Sequence, residues 1–159
     1  MGEWAGPVMI AAAAGAGLIG GLFFAFSNFV MRALARLPGT HGMAAMQSIN
    51  VTVLNPLFFL VFFGTGALAV LAVVAGWGTR GEAPSLMAVT GAVLYLGGCI
   101  GVTIACNVPL NERLARVPAD DADAHTLWPH YVTRWTRWNH VRTVACLAAA
   151  VLFAAAAAA

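Results

Sequence analysis

The residues of this chain that could do chemistry are amides, aromatic rings, one histidine and one arginine that lie within or beside long apolar segments. Hydrocarbon cannot satisfy amide or guanidinium groups, so polar side chains at membrane depth turn toward the interior of a helix bundle. The polar groups gather at the same end of each apolar segment and predict a pocket at one membrane face. The candidate site residues are Asn28, Gln47, Asn50, Asn55, Asn107, Asn111, Trp135, Trp138, Asn139, His140 and Arg142.

The apolar segments that must position these side chains are long enough to cross a membrane. The chain has 159 residues, of which 61% are hydrophobic and 9% charged, whereas soluble domains average roughly 45–50% and 25%. A bilayer core needs roughly 20 apolar helical residues, and the charge-free intervals predict spans at residues 7–30, 51–77, 85–106 and 139–158. We therefore predict an all-α integral membrane four-helix bundle, one domain over residues 1–159, with up-down topology and two longer connections.

The distribution of arginines predicts the orientation of the bundle. Seven of the eight arginines follow the first or third span, and only Arg80 lies on the other side. By the positive-inside rule, both termini are expected outside and the connections 31–50 and 107–138 in the cytoplasm. The chain has no lysine and is rich in alanine and arginine, which is typical of a GC-rich bacterial genome, so we expect a bacterial inner (plasma) membrane. The net charge of +2 is too small for a nucleic-acid partner.

Helical spacing favours a shared pocket. Asn107 and Asn111 are four residues apart and therefore lie on one face of a helix. A second stripe consists of Trp135, Trp138, Asn139 and Arg142. The alternative is an interfacial aromatic belt together with amides that join helices without any ligand. That alternative explains less well why the opposite membrane face has almost no such residues, and both interpretations stay open here.

Two glycine pairs suggest close contacts between helices. Gly17 and Gly21, like Gly97 and Gly101, have the G-x-x-x-G spacing that lets apolar helices approach closely in a bilayer. We predict that one of these two faces mediates homo-oligomerisation.

The connection before the last span contains potential metal ligands. Pro129 is expected to break the helical register between its two histidines, so we predict a solvated loop, no metal site and no cofactor. The residues concerned are Asp121, Asp123, His125 and His130.

Several motifs carry a family resemblance that covers nearly the whole chain. They are Gly21–Ser27, Met46–Asn50, Leu54–Phe58, Asn107–Asn111 and Trp135–Thr143. In these segments the chain resembles the anthrone-oxygenase-like family of small four-helix membrane proteins, most with no assigned function. For members in aromatic polyketide pathways, the resemblance implies a monooxygenase, an oxidoreductase that inserts one oxygen atom at the activated methylene of an anthrone, with neither metal nor flavin. The implied partners are the lipid bilayer and a small, flat, phenolic or lipophilic aromatic molecule.

That chemistry would assign roles to particular residues. A carbon acid must lose a proton, and its enolate must be held while dioxygen reacts. His140 would be the base, Arg142 and the amides of Asn111 and Asn139 would hold the oxyanion, and the rings of Trp135 and Trp138 would stack on the substrate. His140, however, lies about 200° around the helix from Trp138 and Arg142. The alternatives are a non-catalytic membrane protein that binds or senses a lipophile and, after it, a small efflux transporter.

Overall fold

Five helices make up the part of the chain that the computed structural model describes, residues 4–77 and 82–159. They are α1 (Ala5–Ala35), α2 (His41–Thr52), α3 (Pro56–Gly76), α4 (Glu82–Ala115) and α5 (Ala124–Ala158). All except α2 are long and apolar enough to cross a membrane, and no strand occurs among these residues. The predicted all-α membrane bundle is therefore confirmed, and the protein is a multi-pass membrane protein. Arg80, predicted on the outer side, lies outside the described residues.

The segment 51–77, predicted as one span, is divided between two helices. α2 ends at Thr52 and α3 begins at Pro56. Asn55 caps α3, because its Oδ1 accepts the backbone N–H of Phe58 at 3.0 Å. Pro56 occupies the first helical position, where a missing N–H costs nothing. The Asn55–Pro56 pair therefore starts a new helix within the segment that was predicted as one span.

The last helix begins well before the predicted span at 139–158. α5 starts at Ala124 and continues through Pro129, where we expected the helical register to break. Pro129 has no N–H, so the backbone carbonyl of His125, four residues earlier, loses its hydrogen bond within the helix. His125 is exposed, and the proline is therefore tolerated this close to the start of the helix. His125 and His130 are therefore exposed helical residues. Among the described residues, no three His, Cys, Asp or Glu side chains form a group that could hold a metal ion.

The bundle has two apolar cores with a polar layer between them. One core includes Phe23 of α1, Cys99 of α4 and Cys146 of α5, and extends toward the chain termini. The other includes Met31, Leu114 and Trp135 and lies at the end closed by α2. On each of the three helices that enter both cores, a group of buried or half-buried polar residues lies between the two cores. They are Ser27 on α1, Thr103 and Asn107 on α4, and Asn139, Arg142 and Thr143 on α5.

Glycines other than the predicted pairs permit close helix packing within the chain. A Cβ built on Gly98 of α4 would lie 2.6 Å from the Cβ of Ala145 on α5, and one on Gly20 would lie 3.2 Å from the Cβ of Cys146. By contrast, a Cβ on Gly17, Gly21 or Gly97 would meet nothing within 4 Å. The faces of the G-x-x-x-G pairs are therefore not used inside the chain, and their role in homo-oligomerisation stays a prediction.

Candidate functional site

A cavity of about 370 Å³ lies at the end of the bundle that α2 closes. All five helices contribute to its wall, which is mostly apolar. This volume falls within the range of small-molecule sites. The residues that matter below are Phe23 and Phe26 of α1, Gln47 and Asn50 of α2, Phe58 of α3, Thr103, Asn111 and Glu112 of α4, and Trp135 and Arg142 of α5.

The guanidinium of Arg142 forms the deep, polar end of this cavity. Its Nη2 donates to Asn139 Oδ1 at 2.7 Å, and its Nη1 donates to Thr103 Oγ1 at 3.2 Å. Its Cζ lies 4.0 Å from the ring centroid of Phe23 and 5.1 Å from that of Trp135. Arg142 is only 4% exposed. Two neutral side chains and two aromatic faces therefore hold a buried cation.

Asn139 fixes the position of Arg142 by joining α5 to α1. Its Nδ2 donates to the Phe23 carbonyl at 2.7 Å and to Ser27 Oγ at 2.8 Å. Thr143 Oγ1 donates to the Asn139 carbonyl at 2.9 Å, so the 3.1 Å contact between Ser27 and Thr143 has the serine hydroxyl as its donor. The three side chains thus complete a closed ring of hydrogen bonds, which leaves Asn139 Oδ1 free to accept from the guanidinium.

Turns of π-helix lie beside the cavity on two helices. In α1 the π turn spans Phe26–Val30, and in α4 one spans Thr103–Asn107. Such turns insert an extra residue into the helical repeat and occur frequently at functional sites. Here they turn Ser27 and Thr103 toward α5, where both take part in the network around Arg142.

A second polar network borders the cavity near α2. Tyr131 of α5 donates its hydroxyl to Asn111 Oδ1 at 2.9 Å and accepts from Asn50 Nδ2 at 3.4 Å. The Tyr131 ring stacks on that of Trp135, with 6.2 Å between centroids. Gln47 closes this end, since its Nε2 donates to the carbonyls of Leu114 and Val117 at 2.8 and 2.9 Å. The amides therefore form two hydrogen-bonded networks, and the ring of Trp135 contacts Arg142 of the first and Tyr131 of the second.

Two buried N–H groups of lining residues have no hydrogen-bond acceptor in the described structure. They are Nε of Arg142 and Nε1 of Trp135. Unpaired buried donors are costly in native proteins, and each calls for an explanation. Among the described residues no carboxylate pairs with Arg142, and Glu112, which lines the same cavity, pairs instead with Arg116. The deep end of the cavity is therefore suited to a ligand with an anionic or strongly polarised oxygen.

The structure brings together most, but not all, of the predicted site residues. Gln47, Asn50, Asn111, Trp135 and Arg142 line the cavity, and Asn139 holds Arg142 from behind. Asn107 is buried behind Trp135, where its Nδ2 donates to the Trp135 carbonyl at 3.3 Å. The other predicted residues do not line the cavity: Asn28, Asn55 and His140 are exposed and Trp138 is half-buried.

His140, which the sequence analysis proposed as the base, does not line the cavity. Its neighbours Asn139 and Arg142 point into the bundle, so the 100° step of the helix turns His140 to the outer surface. His140 therefore lies on the opposite side of α5 from Arg142, as the angle of about 200° between them predicts. This position gives no support to His140 as the proton acceptor.

The sequence analysis did not select several residues of the site, among them Thr103, Thr143, Phe23 and Glu112. Thr103 and Thr143 are spaced four residues from Asn107 and Asn139, so helical periodicity could have found them. Phe23 carried no signal, because phenylalanine is common in membrane spans. Glu112 follows a long charge-free interval, and in the sequence it marks only the end of that interval.

The comparisons with known proteins support the resemblance stated from the sequence motifs. A family model described as anthrone oxygenase matches residues 58–152. The matched part extends from α3 to α5 and includes Thr103, Glu112, Asn139 and Arg142. No curated protein and no solved structure matches the chain.

Proposed function

The chain belongs to the anthrone oxygenase family, and we propose that it binds a flat, lipophilic aromatic molecule with an enolisable or phenolic oxygen and oxygenates it without metal or flavin. The observation that carries this proposal is Arg142: a buried guanidinium at the end of an apolar cavity, with no carboxylate partner within residues 4–77 and 82–159. The substrate class and the reaction both follow from what this cation can stabilise.

A guanidinium is suited to stabilising an enolate or phenolate oxygen. It stays protonated, presents its N–H groups in one plane, and binds an oxyanion more strongly in a partly dry site than in water. Burial of a charge is costly, and the hydroxyl of Thr103 and the amide of Asn139 offset only part of that cost. Arg142 itself lines the cavity, so its charge can act on the oxygen of a bound ligand.

The walls of the cavity favour a planar aromatic ring system. The rings of Phe23, Phe26, Phe58 and Trp135 all contribute to its lining. Phe26 and Trp135 are tilted by 56° with 5.6 Å between their centroids, so their faces do not stack fully on each other. Offset or edge contacts with aromatic rings add to the burial of apolar surface in such a site.

The reaction proposed here is the four-electron oxidation of a methylene to a carbonyl by dioxygen. The substrate loses one proton to give an enolate, whose oxygen binds at Arg142. Dioxygen adds to the carbanionic carbon and forms a hydroperoxide. Loss of water from that hydroperoxide gives the quinone, so one oxygen atom enters the product and the other leaves as water.

The mouth of the cavity faces the corner between α2 and α3. The lining residues Val51 and Leu54 at this corner are 75% and 60% exposed. Apolar side chains that are exposed at the edge of a membrane domain contact lipid. We propose that the ligand enters from the bilayer at this corner, on the side that the arginine distribution assigns to the cytoplasm.

Oxygen consumption tests the proposal. Purified protein in nanodiscs, treated with EDTA, is mixed with an anthrone in an oxygen-electrode cell, and formation of the quinone is followed by absorbance. We expect uptake of one dioxygen per quinone formed, at a rate above that of empty nanodiscs. The matched control is Arg137→Met, which removes an exposed arginine from the same helix and should leave the rate unchanged. Rates equal to those of empty nanodiscs would contradict the oxygenase proposal.

The non-catalytic alternative keeps one observation in its favour. His140, which the sequence analysis proposed as the base that accepts the proton, lies outside the cavity. A protein that only binds or senses its ligand would need no base. Recovery of intact anthrone from protein that binds it, without oxygen uptake, would establish this alternative.

A further inference from the structure

Glu112 is the only carboxylate among the described residues that line the cavity. It lies on α4 next to Asn111, whereas Arg142 lines the same cavity from α5. The Glu112 side chain is 62% exposed, and Arg142 is 4% exposed. The cavity therefore has a cation at its buried end and an anion at its accessible end.

The Glu112 carboxylate is not held by a strong partner. Its Oε2 lies 3.9 Å from Nη2 of Arg116, one helical turn away, and both side chains are largely exposed. Exposed ion pairs of this kind contribute little free energy. The carboxylate can therefore leave this contact and approach a molecule bound in the cavity that it lines.

We propose that Glu112 is the catalytic base that removes the methylene proton, an inference that rests on the oxygenase function proposed above. In an anthrone, the carbonyl and the methylene occupy opposite corners of the central ring. A ligand whose carbonyl oxygen binds at Arg142 therefore presents its methylene toward the other end of the cavity. That end is the side on which Glu112 lies.

The proton transfer is balanced by groups of this cavity. The C–H bond of the methylene breaks, the proton goes to a Glu112 carboxylate oxygen, and the electron pair is delocalised onto the carbonyl oxygen at Arg142. A carboxylate is a weak base, but it abstracts protons from carbon acids when donors stabilise the enolate oxygen. The enolate carbon then adds dioxygen, and Glu112 returns its proton to the resulting peroxide to give the hydroperoxide. The hydroperoxide loses its remaining C–H proton and, as its O–O bond breaks, hydroxide, which together leave as water.

The other polar lining residues do not compete for this role. Gln47, Asn50 and Asn111 are amides, which do not accept protons at neutral pH. His140 is exposed on the outer surface of α5 and does not line the cavity. Glu112 is thus the lining residue whose chemistry fits the base.

The test compares Glu112→Gln with two controls, Glu82→Gln at the opposite end of α4 and His140→Gln. Quinone formation is measured in nanodiscs with an anthrone, and binding is measured separately with a hydroxyanthraquinone, which has no methylene to deprotonate. For Glu112→Gln we expect kcat to fall by about 100-fold or more with unchanged binding, and both controls to keep the wild-type rate. In Glu112→Ala, added acetate should restore part of the rate.

A substrate deuterated at the methylene adds a second readout. Slowed proton transfer should produce a primary isotope effect in Glu112→Gln that is larger than in the wild type. The assignment is overturned if Glu112→Gln keeps the wild-type rate, or if its loss of rate is matched by loss of hydroxyanthraquinone binding. Absence of oxygen uptake by the wild-type protein would overturn the proposed function together with this base, whereas an active Glu112→Gln protein would overturn the base alone.

Discussion

Replacing Arg142 with methionine separates the ligand-binding role of the guanidinium from its role in folding. Methionine has a similar length, no charge and no hydrogen-bond donor. In the folded protein the substitution removes the hydrogen bonds to Asn139 Oδ1 at 2.7 Å and to Thr103 Oγ1 at 3.2 Å. It also removes the contacts with the rings of Phe23 at 4.0 Å and Trp135 at 5.1 Å. It also removes a charge from a position that is 4% exposed. These changes act on stability in opposite directions.

The expected change in the free energy of unfolding is small. A hydrogen bond to a charged group contributes about 1.5–3 kcal/mol, and a desolvated cation–π contact contributes about 2 kcal/mol. Burial of the charge costs several kcal/mol, and this cost disappears in the variant. Because the contributions nearly cancel, we expect Arg142→Met to change the free energy of unfolding by less than about 2 kcal/mol.

Ligand binding should respond much more strongly. Loss of one charge-assisted hydrogen bond to an oxyanion, about 1.5–3 kcal/mol, corresponds to a roughly 10- to 150-fold increase in Kd at 1.36 kcal/mol per tenfold. Arg142→Lys keeps the charge but loses the planar fork, so its Kd should lie between those of wild type and Arg142→Met.

The assay is a titration of nanodisc-embedded protein with an ionised hydroxyanthraquinone, alongside thermal unfolding of the same samples. Arg137→Met, on the exposed side of α5, controls for loss of an arginine. The reasoning is refuted if Arg142→Met binds the ligand as tightly as the wild type. It is also refuted if Arg142→Met is unfolded in the absence of ligand. The guanidinium would then be required for folding, and its loss would say nothing about ligand binding.

Three further predictions concern the network, the helix packing and the orientation. Asn139→Ala removes two buried bonds between α1 and α5 and should lower the free energy of unfolding by about 1–3 kcal/mol, measured by denaturant unfolding in mixed micelles; wild-type stability would show that the ring of bonds is dispensable. Gly98→Ala places a Cβ 2.6 Å from that of Ala145 and should cost about 1–3 kcal/mol, whereas Gly97→Ala, with open space around its Cβ, should cost nothing; equal melting temperatures would contradict the packing. Asp121→Cys, in a background without native cysteines, should resist membrane-impermeant maleimide added to intact cells, and labelling from outside would reverse the proposed orientation.

The sequence predicted the membrane bundle and the depth of the polar layer because both depend on where apolar and polar residues fall along the chain. Long apolar intervals fix the number of helices that can cross a bilayer. Amides such as Asn111 and Asn139 mark the depth at which polar groups must meet inside the bundle. The stripe that contains Trp135, Asn139 and Arg142 was also predicted, since α5 is a regular α-helix and keeps its 3.6-residue repeat.

The predictions that differ from the structure involve breaks in that repeat. The π turn at Phe26–Val30 changes the helical phase, so that Ser27 faces α5 and the neighbouring Asn28 is exposed. Asn55 was placed in a span, but it caps a helix and bonds to its own backbone turn. Hydropathy encodes neither feature: the π turn depends on how neighbouring helices pack, and the start of α3 depends on local capping by Asn55 and Pro56.

A crystal structure with a brominated hydroxyanthraquinone would test the site most directly, because the anomalous signal of bromine locates the ligand without assumption. We predict a peak in the cavity bounded by Phe23, Trp135 and Arg142, with a ligand oxygen within about 3 Å of the guanidinium nitrogens. A ligand found only elsewhere, for example in the shallow groove beside Ile10 and Ala154 at the other end of the bundle, would contradict the assignment of Arg142 as the oxyanion-binding residue.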